Sequence, residues 1–166
     1  MENSINNLAT VDAGDGTSLS VVGDTYRVVI SGEQTGRLYA TIDMLIPPQG
    51  GPGPHAHAAI QEAFYVLEGE IVVKTKSRTY TAREGSFVNI PLGGMAHSFK
   101  NESDRTAHLL CIVMPAGMDR MFEEIGKPVA AGTFLPPPDM GPEDQERLRG
   151  IAEKYGQELF PPDYLG

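Results

Sequence analysis

Between Thr25 and Met114 the chain is a succession of short apolar, β-branched runs, each ended by glycine, proline or a polar turn. TYRVVI (Thr25–Ile30) is followed by SGEQTG, and LYATIDMLI (Leu38–Ile46) by PPQGGPGP (Pro47–Pro54). EAFYVLE (Glu62–Glu68) passes through the single residue Gly69 into EIVVKT (Glu70–Thr75), a break that predicts a bend or bulge. SRTYTA, SFVNI and MAHSFKN continue the pattern, and AHLLCIVM (Ala107–Met114) reads as a nearly continuous apolar, buried strand. Eight or nine strands at 8–12-residue spacing, with turn residues between them, are the signature of an all-β sandwich or barrel. Composition agrees: 19 glycines and 13 prolines in 166 residues exceed the roughly 12% typical of the two together, which disfavours a helical bundle. Recurrent apolar runs exclude disorder, and the length suits one domain with a core.

The two ends differ from this middle. Residues 1–23 are polar and read as a loose N-terminal arm with a short strand at Ser18–Val22. Residues 24–116 form the expected barrel, and residues 117–166 a helical extension packing on it. In that extension Met118, Met121, Phe122 and Ile125 fall at i, i+3, i+4 and i+7, the stripe of a two-turn helix that packs on the barrel. The stiff segment FLPPPDMGP then leads into a helix expected over Pro142–Tyr155, with proline and acidic residues in its first turn and Gly156 at its stop.

Charge and cysteine content exclude several classes of function. Thirteen basic against 22 acidic residues give a net charge of −9, which repels phosphate backbones, so no nucleic-acid partner is expected. No apolar stretch approaches the ~20 residues of a spanning helix, so no membrane partner is expected. The N-terminus lacks a basic stretch followed by an apolar run, and Cys111 is the one cysteine, so a cytoplasmic protein is the default expectation.

The chemistry lies in the histidines. His55 and His57 form H-x-H, which on an extended segment points both rings to one face. Glu62 follows five residues later, and His97 opens a different strand. Three imidazoles and one carboxylate converging on one face suit a divalent transition metal: Fe, Mn, Ni or Co, with Zn as a further candidate. Burying these groups unpaired is expensive, and a metal offsets that cost. The alternative is that His55 and His57 are surface histidines or polar turn residues. His108 reads as a core or edge histidine bonded to backbone, Cys111 as a small core residue, and Met114, Met118 and Met121 as packing rather than soft-metal ligands.

These spacings resemble the two cupin motifs. The first reads His55, one residue, His57, four residues, Glu62, six residues, Gly69. The second reads Gly85, five residues, Pro91, Gly93, Gly94, His97, three residues, Asn101. Two departures alter loop lengths: the glycine before His55 (Gly50 or Gly51) sits one or two positions too close, and one extra residue separates Pro91 from His97. The resemblance implies a double-stranded β-helix, the jelly-roll-like cupin barrel with short C-terminal helices, and His55, His57, Glu62 and His97 as metal ligands inside it. The FYVLEG strand and the Gly/Pro loop further resemble the quercetin-dioxygenase-like single-domain cupins.

That resemblance implies a metal-dependent dioxygenase acting on a flavonol or other enolic or aromatic small molecule with O2, in which Glu62 takes the substrate's hydroxyl proton. Alternatives are a small-ligand-binding cupin without catalysis, or a metal-cupin isomerase or decarboxylase. Strand alternation places Phe64 and Val66 on the side of Glu62, and Phe99 on that of His97, either as a substrate pocket or as barrel filler. Open sheet edges point to a homodimer.

Overall fold

The computed structural model describes residues 7–166; the first six residues of the expected N-terminal arm lie outside the described residues. The Gly/Pro punctuation resolves into twelve described strands and two helices. In chain order these are β1 (Ser18–Val21), β2 (Asp24–Ile30), β3 (Ala40–Ile46), β4 (His55–His57), β5 (Gln61–Glu68), β6 (Glu70–Thr75) and β7 (Thr79–Arg83). There follow β8 (Phe87–Ile90), β9 (His97–Lys100), β10 (Ala107–Met114), α1 (Met118–Ile125), β11 (Lys127–Val129), α2 (Pro142–Lys154) and β12 (Gln157–Leu159). Nine of the strands, β2 to β10, fall in the stretch where eight or nine were expected.

They make two antiparallel sheets, a seven-stranded one in the order β11-β1-β2-β3-β10-β5-β8 and a five-stranded one in the order β12-β4-β9-β6-β7. Gly69 is where the chain turns from one sheet to the other: β5 belongs to the first and β6 to the second. Its φ of +75° is left-handed, and a Cβ there would meet the Ala107 Cα at 3.0 Å. The expected bend is a corner of the barrel.

Parity along the central strands builds the core. In β3, Ala40, Ile42, Met44 and Ile46 are buried while the residues between them are half-buried. In β10, Ala107, Leu109, Cys111 and Val113 point inward and His108, Leu110 and Ile112 lie on the half-buried outer face. This corrects the reading of β10 as buried throughout. An antiparallel sheet with one covered face needs inward apolar residues only at alternate positions. The strand at Leu38–Ile46 starts two residues late, leaving Leu38 72% exposed.

The C-terminal segment enters both sheets. β11 pairs with β1, and β12 lies beside β4 with Gln157 opposite His57 and Leu159 opposite His55. Neither strand was legible in the sequence, since three residues between helices carry too little pattern. β1, at the end of the expected arm, is buried along its length between β2 and β11. α1 buries Met118, Met121 and Phe122, and α2 buries Ile151 and Ala152.

Candidate metal centre

H-x-H becomes a pair of converging imidazoles because β4 is short and held on both sides. β9 pairs His55 with His97, and β12 covers the other edge. The loop before β4 is anchored by Asn101, the last residue of the second motif. Its buried Nδ2 donates to the carbonyls of Ile46 and Arg105 at 2.8 and 2.6 Å, and its backbone N donates to Gly50 O at 3.0 Å. Gly51 has a φ of +116°, and a Cβ there would stand 2.2 Å from Phe99 O. The loop therefore lies directly on β9, as only glycine permits.

Glu62 reaches the same point from β5 in the opposite sheet, so the cluster joins the two sheets. One ligand atom from each of His55, His57, Glu62 and His97 lies within 4.8 Å of all the others, and all four residues are buried. A single divalent ion with bonds of about 2.1 Å can draw such a group together. The His55 Nδ1 lies 2.9 Å from Gly53 O and the His97 Nδ1 2.8 Å from Met95 O. With Nδ1–H donating to these carbonyls, each Nε2 carries a free lone pair toward the centre. His97 Nε2 stands 3.1 Å from Glu62 Oε2.

His57 tests whether a metal fits. Its Nε2 is 3.3 Å from Glu62 Oε2 but not at a hydrogen-bonding angle, and neither ring nitrogen has a hydrogen-bond partner among the described residues. A buried polar group in that state costs about 1–3 kcal/mol, and a cation held on Nε2 removes half of the deficit. The donor set of three imidazoles and one carboxylate is that of a transition-metal site.

The electrostatics agree. Burial lowers the His55 pKa to about 4, helped by His97 and His57 and opposed by Glu62, which keeps this ring neutral and able to ligate at pH 7. Burial works to raise the Glu62 pKa, but the His57 and His97 contacts and the nearby His55 outweigh it and hold the carboxyl well below its usual range. Cys111 is nearer this chemistry than its reading as core filler foresaw. It is fully buried, and its Sγ lies 3.6 Å from the second oxygen of Glu62, with burial pushing the thiol's pKa up so that it stays protonated and donates. Inward parity on β10, opposite Phe64 of β5, was the signal available for this contact.

His108 lies elsewhere. Its Nε2 bonds the Asp43 carboxylate on the outer face of the sheet, and Arg27 bonds the other Asp43 oxygen at 3.1 Å. The expected backbone partner is thus replaced by a side chain.

Beside the cluster, with His55 and Glu62 in its wall, lies a cavity of about 270 Å³, mainly apolar in lining. Met118, Met121, Phe122 and Ile125 of α1 and Leu148 and Ala152 of α2 cover it, while His55, Glu62, Asp24 and Tyr26 supply polar groups. The α1 stripe therefore roofs a cavity as well as packing on the barrel. Of the three candidate pocket residues, Phe99 lines this space; Phe64 and Val66 do not and are fully buried, Phe64 lying edge-on to Phe99 with ring centroids 5.0 Å apart. Asp24 and Tyr26 went unnoticed in the sequence, where a strand TYRVVI preceded by aspartate carries no mark of a site.

The comparisons with known proteins converge on the same fold. The Cupin domain family model matches residues 42–113. A quercetin 2,3-dioxygenase of Bacillus subtilis is 23% identical over 124 residues, which cover 75% of this chain and 36% of that protein, so the match spans about a third of the relative. Among solved structures, a predicted oxalate decarboxylase from Thermotoga maritima superposes with a TM-score of 0.59 at 20% identity, covering 64% of this chain and 99% of the other. A polyketide cyclase from Streptomyces resistomycificus gives 0.58 at 17% identity, covering 90% and 99%. Residues 42–113 thus match a Cupin domain, and the two antiparallel sheets have the cupin fold of these solved structures.

Proposed function

We propose that this cupin is a metal-dependent dioxygenase that binds a flat enolic or aromatic molecule, a flavonol being the model substrate, and cleaves it with O2. The observation carrying this reading is the convergence of His55, His57, Glu62 and His97, two of which, His55 and Glu62, line an apolar cavity. Distant similarity to a quercetin 2,3-dioxygenase supports the substrate class. These four residues would hold one Fe, Mn, Ni or Co ion. When bound, the ion supplies Lewis acidity toward a substrate hydroxyl and open positions for substrate and O2. The chain's own contribution is placement and exclusion of water: α1 and α2 cover the apolar rings, and the polar end of the substrate meets the carboxyl-bearing end of the cavity. The hydroxyl proton passes to a carboxylate, a task the sequence gives to Glu62. On this reading the enzyme acts in the cytoplasm, as a homodimer.

The test is oxygen uptake with flavonols and β-diketones on protein loaded in turn with Fe, Mn, Ni, Co and Zn. Uptake is expected with one or more redox-capable metals and none with zinc. No uptake with any of them would sink the dioxygenase reading. Oxygen-independent turnover by the zinc form would replace it with a cyclase, isomerase or decarboxylase. The solved polyketide cyclase gives that second reading its substance, since its likeness spans 90% of this chain.

A further inference from the structure

The carboxylates of this cavity are unequally free. Both oxygens of Glu62 are engaged, Oε2 by His97 at 3.1 Å and Oε1 by the Cys111 thiol at 3.6 Å, with His57 beside Oε2. Asp24 enters from β2 and is only 4% exposed. Its Oδ2 accepts from the Tyr26 hydroxyl at 2.9 Å, and its Oδ1 accepts from the Gly51 backbone N at 3.1 Å. Among the described residues no lysine, arginine or histidine bonds it, and each oxygen keeps a lone pair. Tyr26 is in turn held edge-on by Phe122 of the cavity roof, ring centroids 5.0 Å apart. A buried, uncompensated carboxylate with a phenol at its side, facing an apolar cavity that also meets the four-ligand cluster, has the features of an acid–base group.

We infer that Asp24, positioned by Tyr26, is a catalytic base of this cavity, taking the hydroxyl proton of an enolic or phenolic substrate in place of Glu62. In that step the substrate O–H bond breaks and an O–H bond forms on Asp24. The negative charge moves from carboxylate to substrate oxygen, and no proton leaves the protein. The inference deepens the function proposed above and takes its substrate class from it. Burial raises the Asp24 pKa to about 6 against the two hydrogen bonds it accepts, so the carboxylate is mostly ionised at pH 7.5 yet a better proton acceptor than an exposed one. The titratable groups around it are Tyr26 on its own strand, His55 on β4, Glu62 on β5 and Cys111 on β10; α1 and α2 bring only apolar residues to the cavity.

The experiment uses zinc-loaded full-length protein at pH 7.5 and 3-hydroxyflavone, whose anion absorbs at longer wavelength than its neutral form. Absorbance reports ionisation of the bound probe, and calorimetry in buffers of different ionisation enthalpy reports protons released. Wild type is expected to bind the probe ionised with no proton released. Asp24→Asn, at unchanged metal content, is expected to bind it neutral, or ionised with one proton released. On any metal that supports oxygen uptake, Asp24→Asn should lower kcat at least about 100-fold. Wild-type failure to bind the probe, proton release by wild type, or a variant indistinguishable from wild type each overturns the assignment. Since zinc supports no oxygen chemistry, absence of oxygen uptake defeats the dioxygenase reading while these binding data still decide Asp24. Should Asp24→Asn not fold with its metal, Tyr26→Phe decides. Losing one donor makes Asp24 hold its proton more tightly, so the acidic limb of the probe's ionisation moves to higher pH; an unmoved limb overturns the assignment.

Discussion

The described residues hold two histidine–carboxylate clusters, and they have opposite fates. Inside, His55, His57 and His97 surround Glu62 with all four side chains buried and one imidazole without a hydrogen-bond partner. Outside, His108 meets Asp43 on the half-exposed face of the main sheet, where Arg27 completes the charge balance. Residue types are nearly the same in the two. Strand parity separates them: on β10 the odd positions, Cys111 among them, face the core, and the even positions, His108 among them, face outward. A one-residue shift of register would exchange their roles. A ligand set is therefore recognised by convergence of inward positions from different strands, and the presence of histidine beside an acid is not enough.

The comparison is broken most directly at the inner cluster. His57→Ala, or the double variant His55→Ala/His57→Ala, is expected to drop the bound metal from about one per chain to below about a tenth of one. Wild type should gain thermal stability as metal is titrated in, and the double variant should not. Elemental analysis and a melting series in metal check both. Metal retained at wild-type stoichiometry by the double variant would show that these residues do not hold it.

A smaller effect sharpens the contrast by pH. In metal-free protein His55, with its pKa lowered to about 4, favours folding above the unfolded value near 6.5 and loses that contribution as pH falls toward 4. Asp24, with its pKa raised to about 6, has the opposite slope: its cost is present above pH 6 and disappears as pH falls toward 3.8. Each shift corresponds to about 3 kcal/mol, so the two nearly cancel between pH 6 and 4. Asp24→Asn removes the compensating slope, and its metal-free melting temperature should fall more steeply with acid across this window than that of wild type. Parallel curves would mean that Asp24 titrates as an ordinary exposed carboxylate.

The fold was legible wherever the period of two and the turn residues repeated. Nine strands and the bend at Gly69 follow from that pattern, and both helices from their helical spacing and end signals, with α2 ending at Lys154, one residue short of the expected Tyr155. The four clustered residues were legible because two motifs state their spacing. Three things were hidden. β11 and β12 are three residues each and owe their pairing to β1 and β4, partners more than a hundred residues away in sequence for β11 and for most of β12's span. The proximity of Cys111 to Glu62 arises from register between β5 and β10; parity on β10 points Cys111 inward but does not name its neighbour. Asp24 and Tyr26 join the cavity because β2 lies beside β3 in the sheet and because Gly51 folds back to cap the carboxylate.

The smallest expected effect lies at the outer cluster and is the most pointed. His108→Ala removes an imidazole that is about a third exposed, and Asp43 keeps Arg27 at 3.1 Å. Arg27 stays fixed in turn by its Nη1 donation to Asp15 O at 2.7 Å. No buried charge is left alone, so the loss should stay within about 1 kcal/mol, a shift of no more than about 4 °C in melting temperature for a chain of this size. Metal content, probe binding and oxygen uptake should match wild type, because Asp43 and His108 project from the face of the sheet opposite Cys111 and the cavity. A variant that lost metal would mean that the outer cluster holds the register of β10 against β5, and with it the position of Glu62.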